Sequence, residues 1–269
     1  MFIRRESFKQ FIHFYPVITT LVAIQIGIWL LMFLTPMING IIGVIGLQFP
    51  PIGNWIYQWG AGVNLLVQQG DYWRLVTPIF LHDPNGVTHV LFNSFSLVIF
   101  GPALEQMLGK VKFLSVYLLA GTIGNLFTFL MDPSAYYFSL GASGAIYGLL
   151  GLYLFMIFFE KHLIDPASAQ IVKIILVVGL IMTFLRPGIN IYAHIFGFIG
   201  GVALGPIFLR NVKPFSPYRN PIRHTEDNNF QFNPNRWNKK RLPIKQYGRP
   251  ILWTIIVVLV VLGVFGRFL

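Results

Sequence analysis

The chain of 269 residues contains no cysteine. Disulfides, thiolate nucleophiles and cysteine-based metal sites are therefore excluded. Charge is also scarce, since Asp, Glu, Lys and Arg together make up only 11% of the residues and just nine are acidic. That is too little for an ordinary soluble surface. What stands in its place is apolar: 55% of the residues are hydrophobic and 26 are Phe, which puts the chain in the polytopic membrane class.

A span needs roughly 20 mostly apolar residues to cross the hydrocarbon core. Seven stretches qualify, near residues 16–36, 88–108, 112–130, 141–159, 170–185, 189–209 and 251–268. The first is too long for the h-region of a secretory signal, and Leu34-Thr35-Pro36-Met37 lacks a small-x-small cleavage site, so it is expected to persist. The expected fold class is an all-α polytopic membrane protein with six core helices and a seventh, C-terminal transmembrane helix. Its expected layout is a cytosolic N-terminus (1–15), a six-helix membrane core (16–210), a basic cytosolic linker (211–250) and the seventh span (251–269).

The net charge of +11 reads mainly as a topology signal rather than as a nucleic-acid footprint. With the N-terminus in the cytosol, all Lys and Arg fall inside except Arg74, Arg186 and Arg267. The C-terminus then lies outside, and the plasma membrane is the expected location. In the linker, Lys239-Lys240-Arg241 is either a contact for anionic lipid or a plain stop-transfer flank. The outer-side loop at 37–87, with Trp55, Tyr57, Trp59, Tyr72 and Trp73, is long for a structureless connection and reads either as short interfacial helices, the expected form, or as an ordinary extracellular loop with no catalytic part.

A few polar residues interrupt the apolar spans. Ser143 lies in Gly141-Ala142-Ser143-Gly144, and His194 lies in Ala193-His194-Ile195-Phe196-Gly197. Ionisable side chains within spans are costly and mark function. In the N-in topology the second, fourth and sixth spans all start on the outer side. His89, Asn93, Ser143 and His194 then sit within roughly 10 Å of one another in depth. A serine beside a histidine suggests nucleophilic catalysis. Ser143 begins a helix, where unpaired N–H groups can stabilise an oxyanion. His89 and Asn93, four residues apart on one face, either donate to that same oxygen or form a satisfied structural pair. Gly144 with Gly148, and Gly197 with Gly201, read as small-residue pairs that let two helices approach closely. Tyr147, one turn after Ser143, either packs on the His194 ring or fills the core. None of the nine carboxylates lies in the outer half of a span, and Glu105 is roughly 18 Å deeper than Asn93, so a dyad is expected rather than a triad.

Taken together, Trp73-Arg74, His89-Val90-Leu91-Phe92-Asn93, Gly101 with Glu105 and Gly109, Gly141-Ala142-Ser143-Gly144 with Tyr147, and Ala193-His194 with Gly197 and Gly201 resemble the rhomboid family of intramembrane serine proteases. The resemblance implies Ser143 as nucleophile and His194 as general base. It also implies an oxyanion hole of His89, Asn93 and the Ser143 amide, and a Tyr147 ring stacked on His194. Trp73-Arg74 corresponds to a structural signature in the first loop. The implied substrates are single-span membrane proteins cut near the outer face, with access past the fifth span and a mobile cap near residues 132–140. No cofactor and no metal is implied.

Three rival readings were open. A catalytically silent protein of the same fold would escort transmembrane clients, but such members lack the Ser or His. A metal-dependent protease using His82, His89 and His194 has no His-Glu-x-x-His helix and no carboxylate at that depth. A transporter would show internal repeats and midplane charges.

Overall fold

A computed structural model describes residues 1–2 and 6–216. The seventh span expected at 251–268, and the basic linker beyond residue 216, lie outside the described residues. The elements in chain order are α1 (Phe8–Phe14), α2 (Pro16–Ile42), α3 (Ile52–Gly60), α4 (Asn64–Gln68), α5 (Val87–Leu108), α6 (Lys110–Met131), α7 (Ser143–Phe159), α8 (Pro166–Leu185) and α9 (Ile191–Phe208). Short 3₁₀ turns punctuate the connections, and among the described residues the only extended pairing is an isolated antiparallel bridge between Gly62 and Ser139.

Among the described residues, five helices are long and apolar enough to cross a membrane, and a sixth apolar helix, α7, has 17 residues. The chain is a multi-pass helical membrane protein. Two expected boundaries move. Pro36 lies inside α2 instead of ending it, a position tolerated in spans because neighbouring groups re-satisfy the freed carbonyl. The fifth span starts at Pro166 rather than 170, because Asp165 caps it by accepting from the Ser168 N–H at 2.9 Å with proline in the first turn.

α7 occupies the centre. Its sequence is apolar all round, the pattern of a helix without a solvent face, and eleven of its residues are buried. Its closest neighbour is α9. A Cβ on Gly197 would overlap the Gly144 carbonyl, and one on Gly201 would overlap the Gly148 carbonyl. The two backbones therefore touch along the seam anticipated from the small-residue pairs. α6 closes the third side, where a Cβ on Gly124 would come within 2.6 Å of the Ala193 carbonyl.

Glu105 has a role that depth alone did not reveal. Buried on α5, it accepts from the N–H groups of Val17 and Ile18, both at 3.0 Å, and so caps the start of α2. The first turn of α2 has no other side-chain cap, and unpaired N–H groups in an apolar medium are costly.

The 37–87 loop does form short helices, α3 and α4, followed by 3₁₀ turns at Tyr72–Leu75 and Thr77–Phe80. Arg74 ties them together. Its Nε donates to Asp71 at 2.8 Å, and its Nη1 donates to the carbonyls of Gln58 and Ala61 at 2.7 and 2.8 Å. Trp73 donates to the Trp59 carbonyl and stacks on its ring, which in turn stacks on Trp55. The Trp-Arg pair is thus a structural staple of the loop.

Three substitutions have expected effects on stability. Gly201→Ala should lower stability by about 2 kcal/mol or more through forced separation of α7 and α9, whereas Gly27→Ala, with nothing within 4 Å of the added methyl, should leave it unchanged or slightly raised. Glu105→Ala should cost about 2 kcal/mol. Thermal unfolding in detergent micelles reads all three.

Candidate active site

α7 begins at Ser143, and the chain enters it through Gly141, whose φ of +127° suits glycine alone. Close contact adds a second requirement there, since a Cβ would come within 2.6 Å of His89 Nε2. The preceding segment is held by main-chain bonds: Gly62 and Ser139 exchange N–H and carbonyl at 2.8 Å in both directions, and Gly141 N–H donates to the Pro78 carbonyl at 2.9 Å. Residues 132–140 are therefore pinned to the 37–87 loop.

His194 enters from α9. Asn190 caps that helix by accepting from the Ala193 N–H at 3.0 Å, which sets His194 one turn in. The Thr128 hydroxyl on α6 sits 3.1 Å from the same Asn190 oxygen. With α7 and α9 in backbone contact, His194 Nε2 lies 2.7 Å from Ser143 Oγ. The Tyr147 ring stacks on the imidazole at a centroid distance of 4.3 Å and an interplanar angle of 21°. The ring stacks on the imidazole and also forms part of the buried core.

His89 and Asn93 lie on one face of α5 near its start. The His89 ring points toward Gly141, on the Ser143 side of the cluster. Asn93 is buried, and its amide nitrogen donates to the His89 carbonyl at 2.9 Å, which leaves its second proton free. The first-turn N–H groups of α7, beginning with that of Ser143, have no partner within the helix. Among the described residues no carboxylate bonds His194, and Glu105 is engaged at the start of α2.

Two residues of this cluster escaped the sequence reading. Thr183, near the end of α8, is 1% exposed, and its hydroxyl lies 2.8 Å from His194 Nδ1. A threonine in an apolar span carries no signal by itself. His82 had been weighed only as a metal ligand. It is fully buried, neither ring nitrogen has a partner among the described residues, and it packs edge-on against His89 at 5.1 Å.

The comparisons agree with this architecture. The Rhomboid domain matches residues 69–211. YdcA of Bacillus subtilis is 42% identical over 207 residues, which cover 76% of this chain and 94% of YdcA. The rhomboid protease GluP of the same organism is 39% identical over 142 residues, 53% of this chain but 27% of GluP. RHOMBOID-like protein 5 of Arabidopsis thaliana is 34% identical over 163 residues, 60% of this chain and 52% of that protein. A multi-pass helical membrane protein with a serine and a histidine in hydrogen-bond contact is the class that fold and site define. The chain belongs to the rhomboid family. Membership supports intramembrane proteolysis as its general function.

His82, in the loop before α5, should leave a pH signature. Burial first, and the neighbouring His89 second, push its pKa down to about 3 from 6.5. Between those values the unfolded chain binds the proton that the folded site refuses, so stability is present above the upper value and lost as pH falls through the window. The unfolding temperature should therefore drop on acidification from about pH 7 to 4, and drop less steeply in His82→Gln. Equal slopes would remove His82 burial as the cause.

Proposed function

We propose that the chain is a serine endopeptidase that cleaves single-span membrane proteins within the membrane, near its outer face, through a Ser143–His194 dyad. The observation that carries this reading is the 2.7 Å contact between Ser143 Oγ and His194 Nε2 at the start of a buried helix. Ser143 Oγ attacks the scissile carbonyl carbon while His194 Nε2 takes its proton. The resulting oxyanion is met by the Ser143 N–H, His89 Nε2 and the free Asn93 amide proton, donors fixed before the reaction begins. Collapse expels the amine, which receives the proton from His194, and leaves an acyl-enzyme. Water, deprotonated by the same imidazole, releases the acyl group and restores the serine.

A transmembrane helix has its carbonyls bonded internally, so the substrate must unwind locally to present an extended segment. Helix breakers near the scissile bond therefore favour cleavage. In the proposed orientation the N-terminus is cytosolic and the C-terminus outside, as the positive-inside bias favours, and the helix starts that carry Ser143 and His194 face outward, toward water. The partners are transmembrane-helix proteins and the surrounding lipid, with no nucleic acid, metal or cofactor required.

Wild type reconstituted in lipid vesicles should cut a single-span substrate that has a small residue near its outer end. Ser143→Ala and His194→Ala should each lose activity by a factor of at least about 10³, while their unfolding temperatures stay near that of wild type. Full activity in Ser143→Ala would overturn the mechanism. Absence of cleavage by folded wild type across several substrates would favour the silent, client-binding reading.

A further inference from the structure

The Thr183 hydroxyl has one proton and two lone pairs. Three groups surround it: the Gly179 carbonyl at 2.8 Å, the Tyr147 hydroxyl at 3.0 Å and His194 Nδ1 at 2.8 Å. A carbonyl only accepts, so the threonine's single proton goes to Gly179. Both remaining neighbours must then donate. His194 is thereby protonated on Nδ1, and the lone pair of Nε2 faces Ser143 Oγ. This is the tautomer that a general base for Ser143 requires.

We propose that Thr183 is the positioning residue of His194, fixing its tautomer and ring orientation in place of the carboxylate of a triad. The proposal rests on the reading of Ser143 and His194 as the protease dyad. A neutral hydroxyl does this at a buried site where an ionised carboxylate would be expensive. It orients the ring without contributing a charge to the imidazolium.

The location of Thr183 gives this role a second consequence. Ser143 and His194 sit on α7 and α9, whose backbones interlock through glycine. Thr183 sits on α8, which has the smallest buried share of the five long spans, 22%. Its buried residues are Ser168, Val172, Leu176 and Thr183, a narrow stripe. Outward displacement of the end of α8 withdraws the acceptor from Nδ1 while leaving Ser143 and His194 on their own helices. The orientation of the base therefore depends on α8 being seated.

Full-length wild type, Thr183→Val and Thr183→Ser in lipid vesicles test this. The readouts are kcat and KM on the single-span substrate, the rate at which a fluorophosphonate labels Ser143, and the side-chain ¹⁵N spectrum of His194 in histidine-labelled protein. Thr183→Val keeps the shape and loses the hydroxyl. It should lower kcat and the labelling rate by roughly tenfold to a hundredfold with KM within about twofold, and it should mix the two His194 tautomers. Thr183→Ser should recover most of the rate, and wild type should show the Nδ1–H form. Equal kcat and labelling in wild type and Thr183→Val would overturn the proposal alone. A wild type that neither cuts nor labels would overturn the protease reading and this proposal with it. Should Thr183→Val fail to fold, the wild-type spectrum decides, since an Nε2–H tautomer there contradicts the hydrogen-bond assignment.

Discussion

Helices α7 and α9 approach until the backbone of one meets the carbonyls of the other, with Gly144 and Gly148 facing Gly197 and Gly201. Most of the site depends on this seam. At an ordinary interaxial distance of about 8–10 Å, side chains would fill the gap. A serine and a histidine on separate helices would then stand apart. With no Cβ atoms between them the helices close, and two short polar side chains come within one hydrogen bond. In a bilayer, where lipid is as apolar as leucine, such close packing is itself the main attraction between helices. The contact that holds the fold and the contact that forms the dyad are thus one interface.

Around that seam, several polar groups inside the bundle make bonds that each fix a position. Glu105 spends both carboxyl oxygens on the first N–H groups of α2. Asn190 caps α9 and sets the depth of His194. Arg74 binds two carbonyls and a carboxylate in the 37–87 loop, and that loop in turn pins the segment leading into Gly141 and Ser143. Each bond removes an otherwise costly unpaired group and at the same time sets a coordinate of the site. His82 departs from this pattern: it is buried beside His89 with neither ring nitrogen bonded among the described residues.

Depth along the spans was readable from the chain because helix rise is a fixed quantity. Counting residues from the span starts put His89, Asn93, Ser143 and His194 at one level, and the small-residue spacing of 144/148 and 197/201 identified the two helices that close on each other. Helix ends were read less well. Asp165 moved the start of α8 forward through a local capping bond, and Pro36 failed to stop α2. The main-chain pairing of Ser139 with Gly62, 77 residues distant in sequence, was not legible either, because no local pattern announces it.

The sequence alone determined the membrane class, the levels of the polar residues and the family resemblance, because hydrophobic length, helical period and motif order are one-dimensional properties. Lateral relations were decided only by the tertiary structure. Whether Tyr147 stacks on His194, what Glu105 caps, and which group holds His194 Nδ1 all depend on rotation and tilt of helices about one another. Thr183 is the clearest instance. On α8 it is one hydroxyl among apolar neighbours, and it becomes part of the site only because packing turns it toward two rings carried by α7 and α9.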